Sequence, residues 1–202
     1  MHAILSQGVP IEQGEQVYKA LARQDRRRAM DLVVRDFRGR LFQHALFIVK
    51  DSPEAYDAVQ EVFIKAMREP RFFDAEFRMK AWLFRVTSNL CYNIVRDRRR
   101  RGGILESLGR RDLTHASQLG TVQSTERRDE VLALMDRLGE HHKEILQLRY
   151  YDDLSYAEIA DVLGVKLGTV MSRLSRARTR LGELLGPNHP VVLEVLGSDG
   201  QD

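Results

Sequence analysis

The stretch LSYAEIADVLGVKLGTVMSRLSRARTRL, residues 154–181, predicts two helices joined by a tight turn. Ser155 and Glu158 have the Ser-x-x-Glu spacing of a capping box, in which two side chains satisfy two backbone N–H groups at the start of a helix. Gly164 is expected to end the first helix, because glycine enters the left-handed backbone region at low cost. The spacing therefore predicts a helix, a glycine turn and a second helix.

The second helix is predicted to begin between Lys166 and Thr169, with a buried stripe and a basic outer face. The stripe consists of Val170, Leu174, Ala177 and Leu181. Arginine can bridge two acceptors on guanine, and hydroxyl groups can contact bases or phosphates. The pattern favours a helix-turn-helix that reads the DNA major groove, with a helical hairpin whose basic face is merely solvated as the alternative. The candidate DNA-binding residues are Lys166, Thr169, Met171, Ser172, Arg173, Ser175, Arg176, Arg178 and Arg180.

The composition limits the classes of protein to consider. The chain has 202 residues, 43% of them hydrophobic, and a formal net charge of +3, which suits one domain or two small ones. A single cysteine, Cys91, excludes an intramolecular disulfide framework and a cysteine-rich zinc site. No apolar run reaches the length of a membrane span and the start lacks a signal-peptide pattern, so we expect a cytoplasmic protein.

The first half of the chain also has helical periodicity throughout. Helices are expected at residues 15–28, 31–49, 52–68 and 79–101, with Ser52 as a cap and Pro53 at the first helical position. The segment 69–78 interrupts this pattern after Pro70 and contains three phenylalanines beside arginines. These rings can stack on an unpaired base or pack onto the core, and for Phe77 we expect the core.

The helix at 79–101 carries a polar face that ends in four consecutive arginines, residues 98–101. Basic residues interleaved with aromatic ones favour nucleic acid over a merely solvated helix end. We expect an all-α chain of two small helical domains. The expected boundaries are a tail at 1–14, a domain at 15–101, a linker at 102–125 with a short helix near 105–108, a domain at 126–186 with helices at 126–138 and 140–151, and a tail at 187–202.

Three segments in this order resemble the extracytoplasmic-function (ECF) sigma factors of bacterial RNA polymerase. DAVQEVFIKAM at 57–67 resembles the family's core-binding helix, KAWLFRVTSNLCYNIVRDRRRR at 80–101 its minus-ten element helix, and residues 154–181 its minus-thirty-five helix-turn-helix. The resemblance implies an initiation factor with a region 2 domain and a region 4 domain. Its expected partners are core RNA polymerase, through the clamp helices and the flap, promoter DNA and an anti-sigma factor, which could hold the protein at the membrane without membrane insertion of the chain itself.

The resemblance also assigns residues to each surface. The core-binding residues would be Asp57, Gln60, Glu61, Phe63 and Lys65. The minus-ten residues would be Phe72, Phe73, Lys80, Trp82, Arg85, Asn89, Tyr92, Asn93, Arg96, Arg98, Arg99 and Arg100. Met171 stands where the family often has a basic residue, and Lys166 replaces a frequent proline.

Two other functions compete with this interpretation. An autonomous helix-turn-helix regulator would need a dimer interface, for which the sequence has no heptad or strand signal. An enzyme acting on nucleic acid would need paired carboxylates, a metal-ligand spacing or a phosphate-binding glycine loop, and none of these is evident. We therefore expect no catalytic residues, no metal and no cofactor.

Overall fold

The computed structural model describes residues 11–105 and 137–185, and every regular element within these ranges is helical. The prediction of an all-α fold is confirmed. The chain divides into two compact units, Met1–Leu113 and Thr114–Asp202. No helix in the described ranges combines the length and apolar character needed to cross a membrane.

The first unit is built around one long helix. Its described helices are α1 (Ile11–Ala22), α2 (Arg26–Val49), α3 (Ser52–Arg68) and α4 (Met79–Leu105). α2 contacts each of the other three, and α3 also contacts α4. The buried side chains at its centre include Val33, Phe37, Leu41, Val59, Val62, Leu83 and Phe84.

The N-terminal helices differ from the prediction in two places. The expected helix at 15–28 ends at Ala22, and α2 starts at Arg26 because the Asp25 side chain accepts a hydrogen bond of 2.9 Å from the Arg28 backbone N–H. An aspartate at this position is a favourable N-cap. The predicted tail at 1–14 is also wrong from Ile11 onward, where α1 begins.

The corner between α2 and α3 fixes the direction of α3. Lys50 adopts a left-handed conformation with φ of 55°, and its N–H donates to the Leu46 carbonyl. The Asp51 side chain then accepts from the Glu54 N–H at 2.9 Å. The N-cap is therefore Asp51, one residue before the predicted Ser52.

Helix α4 continues through Gly102 and Gly103 to Leu105, beyond its predicted end at Arg101. Glycine disfavours the helix interior by only about 1 kcal/mol, which the preceding turns can override. The predicted linker therefore cannot start at residue 102. Most of the expected helices at 105–108 and 126–138 lies outside the described residues.

The second unit places the helix-turn-helix on a short support. Its described elements are α5 (Glu140–Leu146), a π-helical turn (Gln147–Tyr151), α6 (Tyr156–Leu163) and α7 (Leu167–Leu185). α7 contacts α5 and α6, and their shared core includes Ile145, Leu148, Leu154, Ile159, Val170, Leu174 and Ala177. The predicted helix at 140–151 is helical throughout, but it changes its winding at Gln147.

Candidate nucleic-acid interface

The turn between α6 and α7 has the predicted geometry. The Ser155 N–H donates to Glu158 Oε2 at 2.7 Å, and the Glu158 N–H donates to Ser155 Oγ at 3.3 Å, so the capping box is complete. Gly164 has a φ of 63°, in the left-handed region. Both predictions are confirmed, and together they fix the angle at which α7 leaves α6.

Helix α7 buries one face and exposes the other. Val170, Leu174, Ala177 and Leu181 are buried, as predicted. The exposed candidates are Lys166, Met171, Ser175, Arg176 and Arg180, and the half-buried ones are Thr169, Ser172, Arg173 and Arg178. Arg180 donates to Glu183 at 2.7 Å, so part of its charge is balanced within the helix. All nine residues therefore retain surface that a ligand can contact.

Arg149 stabilises the start of the helix-turn-helix, a role that sequence reasoning missed. Its guanidinium lies 5.2 Å from the centre of the Tyr156 ring and donates to the Leu154 carbonyl at 3.3 Å. Cation–π contacts of this kind are modestly stabilising. The positively charged guanidinium of Arg149 therefore makes contacts within the second unit.

The loop 69–78 in the first unit is an aromatic cluster. Phe72 lies at its centre, with ring centroids 5.1 Å from Phe73, 5.6 Å from Phe77 and 5.6 Å from Trp82. Phe72 is 0% exposed, so the expected base contact of Phe72 is corrected to a core role. Phe73, Phe77 and Trp82 remain half-buried and keep accessible ring surface.

Arg26 connects this loop to the start of α2. Its guanidinium donates to the Glu69 carbonyl at 2.8 Å and to the Pro70 carbonyl at 3.3 Å, and it lies 5.1 Å from the centre of the Phe73 ring. The sequence signal for Arg26 was only its basic charge in a run of arginines. The contact shows that the first residue of α2 orients the accessible Phe73 ring.

Helix α4 presents a polar face along its length. Arg85, Asn89, Asn93 and Arg96 are exposed and Tyr92 is half-buried; Arg99 and Arg100 extend the exposed face by another turn. Their spacing of three and four residues places them on one side of the helix. Arg96 donates to Asn93 Oδ1 at 2.8 Å, which orders that pair. Lys80 is 5% exposed, so its expected DNA contact is corrected to a buried position.

Arg98 points away from this face. Its guanidinium donates to the Val49 carbonyl at 3.0 Å and forms a salt bridge with Glu54. It therefore fastens α4 to the corner between α2 and α3. Arg98 keeps 42% of its side chain exposed, so its phosphate contact stays a prediction beside this structural role, and Arg99 and Arg100 are exposed.

Helix α3 exposes the expected polar stripe. Asp57, Gln60 and Lys65 are exposed, and Lys65 Nζ lies 3.1 Å from Glu61 Oε1. Phe63 is 7% exposed, so its expected contact with a partner is corrected to a core position. Two large apolar side chains, Tyr56 and Met67, are instead exposed on this helix and were missed by sequence reasoning.

A buried polar pair lies beneath the α4 face. His44 Nε2 and Ser88 Oγ are 2.8 Å apart, and the His44 ring packs edge-on to Phe84 at 5.2 Å. Nearby, burial raises the pKa of the Cys91 thiol to about 12, with a further contribution from the charge of Glu54. The His44–Ser88 pair favours one register of α4 on α2, because a buried polar pair is costly to separate.

The fold and these surfaces define a class: an all-helical chain with a helix-turn-helix in one unit and a basic, aromatic-edged helix in the other. Known protein families and solved structures that resemble this chain belong to the same class. Residues 33–101 match Sigma-70 region 2, and residues 128–181 match Sigma-70, region 4. The chain is 32% identical over 185 residues to the RNA polymerase sigma-H factor of Pseudomonas aeruginosa, covering 87% of this chain and 95% of that protein.

The ECF RNA polymerase sigma factor EcfG of Rhodopseudomonas palustris is 31% identical over 164 residues, covering 77% of this chain and 88% of that protein. Among solved structures, the sigma factor RpoE of Bartonella quintana, in complex with the anti-sigma factor NepR, has a TM-score of 0.62 and 26% identity, covering 79% of this chain and 98% of that one. The chain belongs to the ECF sigma factors of bacterial RNA polymerase, a family of non-enzymatic factors for promoter-specific transcription initiation.

Proposed function

We propose that this sigma factor reads a two-part promoter, with α7 on duplex minus-thirty-five DNA and with α4 and loop 69–78 on the melted minus-ten strand. The observation that supports this division best is the difference between the two surfaces. One is a helix-turn-helix with a basic outer face, and the other combines a basic helix with accessible aromatic rings. Duplex reading needs a helix that fits the major groove, whereas an unpaired base needs a ring on which to stack.

In the second unit, Arg176 is the best-placed specificity residue. It is exposed near the middle of α7 and forms no hydrogen bond or ion pair among the described contacts. Arg173 and Ser172, both half-buried, border the same surface. A guanidinium in this position can donate to two acceptors of a guanine.

In the first unit, Phe73 and Trp82 offer accessible ring surface at the edge of the aromatic cluster. The exposed polar face of α4, with Asn89, Asn93 and Arg96, leads away from that cluster. A strand whose unpaired base stacks at the cluster would have its phosphates beside the exposed cations of α4.

The exposed stripe of α3 is the proposed polymerase surface. Asp57, Gln60 and Glu61 provide carboxylate and amide groups for a basic partner helix, and the exposed Tyr56 and Met67 add apolar area. Interfaces combine such anchors with a polar rim. The partners in this proposal are the polymerase clamp helices for the first unit and the flap for the second.

An anti-sigma factor is a further proposed partner, in the cytoplasm or at the membrane. The Bartonella quintana relative was solved in complex with an anti-sigma factor, and the present chain covers 98% of that sigma factor. A partner that covered the α3 stripe or α7 would keep the protein from polymerase or DNA.

The deciding experiment is transcription from a randomised promoter library by core RNA polymerase, with and without this protein. We expect initiation that depends on the protein at a shared motif with two separated parts. An absence of initiation together with tight binding of the free protein to duplex DNA would instead support an autonomous helix-turn-helix regulator.

A further inference from the structure

Helix α1 lies before the matched region 2 segment, which begins at residue 33, yet it reaches loop 69–78. Lys19 Nζ donates to the Ala75 carbonyl at 2.8 Å, across 56 positions of sequence. Lys19 is only 7% exposed, and its ammonium lies 3.5 Å from Glu15 Oε2. A buried ammonium needs such partners, so the position of Lys19 and that of the loop backbone depend on each other.

The second oxygen of Glu15 fixes the start of α4. Glu15 Oε1 accepts a hydrogen bond of 2.7 Å from the Lys80 N–H, in the first turn of that helix. The first N–H groups of an α-helix have no partner within the helix, and a carboxylate is also favoured there by the helix dipole. Glu15 therefore acts as a cap supplied from a different helix.

Helix α1 is itself held on the central helix. The Tyr18 hydroxyl donates to Asp36 Oδ2 at 2.7 Å, and the Tyr18 ring packs edge-on to Phe37 at 6.3 Å. Hydrogen bonds from Arg35 and Tyr18 lower the pKa of Asp36, although burial opposes this shift. Because α1 is anchored on α2 in this way, the contacts of Glu15 and Lys19 hold the loop in position relative to α2.

We infer that Glu15 and Lys19 are positioning residues for recognition of the unpaired minus-ten base. This inference rests on the proposed function of loop 69–78 and adds α1 to its machinery. Arg26 holds the loop at its beginning, Lys19 holds it at Ala75, and Glu15 holds the helix start that follows it. Three anchors from outside the loop thus fix where Phe73 and Trp82 lie.

The Lys19 bond affects the location of the loop more than the stability of the core. Ala75 is exposed, so water can replace Lys19 as the donor to its carbonyl. The aromatic cluster would keep its own packing, but Lys19 would no longer hold it at a fixed position relative to α2. Stacking on a base depends on ring placement, so base discrimination should suffer before folding does.

The test compares Lys19→Met, Glu15→Ala and Glu15→Gln in holoenzyme assembled from the full chain and core polymerase. One probe is a labelled single strand that carries the minus-ten motif found in the promoter library. The other is the same strand with an abasic site in place of the base that is proposed to stack on the aromatic cluster. Glu15→Gln keeps an oxygen acceptor for the Lys80 N–H. Gln16, exposed on the same helix, provides the matched controls Gln16→Met and Gln16→Ala.

We expect wild-type holoenzyme to prefer the intact strand by roughly 5- to 150-fold, the range for one stacked base. Lys19→Met and Glu15→Ala should reduce this preference by about fivefold or more. Glu15→Gln and both Gln16 variants should stay within about twofold of the wild type. The affinity for duplex minus-thirty-five DNA should not change. Loss of the Glu15 cap or of the Lys19 contacts should lower the thermal midpoint only modestly, and every variant should stay folded at the assay temperature.

The outcomes separate the inference from the proposed function. If the wild type discriminates and all variants match it, Glu15 and Lys19 do not position the loop, while the proposed function stands. If the wild type itself does not discriminate, the proposed minus-ten reading fails and the inference fails with it. If the variants lose base discrimination, unfold at the assay temperature and lose duplex binding together, Glu15 and Lys19 have only a structural role and the inference is overturned.

Discussion

At the scale of single residues, Arg176 gives the most direct test of α7. Its exposed guanidinium can donate to two acceptors of a guanine, so Arg176→Ala should weaken specific binding to minus-thirty-five duplex by about 1–3 kcal/mol. Binding of holoenzyme to specific and unrelated duplex, measured at one salt concentration, checks this. Arg137→Ala removes the same charge outside α7 and should lower both affinities equally. Unchanged specific affinity in Arg176→Ala would exclude this residue from base reading.

Met171 offers a second test on the same helix. It is 54% exposed on the outer face of α7, and apolar groups can contact the methyl group of thymine. Replacing single thymines of the minus-thirty-five motif by deoxyuridine removes only that methyl. We expect one position at which deoxyuridine weakens wild-type binding severalfold but leaves Met171→Ala binding unchanged. Equal losses in both proteins at every position would contradict the contact.

Cys91 predicts a pH effect on stability. Burial raises the pKa of its thiol to about 12, above the ordinary value of 9.0. A raised folded-state pKa contributes stability that is fully present below the unfolded value and is lost as the pH rises through the folded value. Between pH 8 and pH 10 the wild type should therefore lose about 1 kcal/mol of unfolding free energy more than Cys91→Ala does. Urea unfolding of both proteins at both pH values measures this, and parallel losses would refute it.

At the scale of elements, two glycines of the helix-turn-helix predict opposite effects of the same substitution. Gly164 has a φ of 63° and Gly168 lies within α7, and a Cβ at either would contact nothing within 4 Å. Gly164→Ala should destabilise the second unit by about 1 kcal/mol through the left-handed backbone alone. Gly168→Ala should stabilise it by about 0.5–1 kcal/mol.

Thermal unfolding of the full chain, followed by a probe in the second unit, measures both glycine effects. Gly164→Asn is the matched control, because asparagine tolerates the left-handed region better than alanine does. It should fall between wild type and Gly164→Ala. Shifts of the same sign for Gly164→Ala and Gly168→Ala would show that the turn does not depend on its backbone conformation.

The elements that depend on local rules could be predicted from the sequence. The capping box of Ser155, the turn at Gly164 and the buried stripe of α7 need only neighbours three or four residues away, and all three are confirmed. The helix start at Asp25 was missed because no glycine or proline marks the break before it. The extension of α4 past Gly102 was missed because the breaker rule gave too much weight to glycine.

Long-range contacts explain what sequence reasoning missed in the candidate site. Phe72 and Phe73 are adjacent and identical in type, and only the packing of Trp82 and Phe77 decides that Phe72 is the buried one. Arg98 is the first of four consecutive arginines, and only the position of Glu54 selects it for a salt bridge. Periodicity identifies a helix face, but it cannot tell which member of a run finds a partner 44 residues away.

At the scale of the whole molecule, the small net charge of +3 conceals a division of charge between surfaces. α4 and α7 expose arginines, whereas α3 exposes carboxylates such as Asp57 beside apolar side chains such as Tyr56. If α4 and α7 both contact promoter DNA as proposed, each contact raises the effective concentration of the other, because both lie on one chain. Under that proposal the chain selects promoters that carry both elements, and neither unit needs a high affinity by itself.

This division predicts that polymerase binding can be removed without affecting the DNA surfaces. Asp57→Arg combined with Glu61→Arg reverses the charge of the α3 stripe, and like charges facing a basic partner cost several kcal/mol. We expect the affinity for core polymerase, measured without DNA, to fall about tenfold or more. The fold should persist, because both side chains lie outside the core and the Glu61–Lys65 pair is worth about 0.5 kcal/mol or less.

The matched control is Asp31→Arg combined with Glu76→Arg, which makes the same change in net charge at exposed positions of α2 and of loop 69–78. If both double variants lose affinity equally, polymerase responds to overall charge and the α3 assignment is wrong. If neither does, the core-binding surface lies elsewhere on the chain. A loss confined to the α3 variant, with circular dichroism and thermal midpoint preserved, would place the polymerase contact on α3 and leave α4 and α7 for promoter DNA, because a chain that binds all partners at once must assign them to different faces.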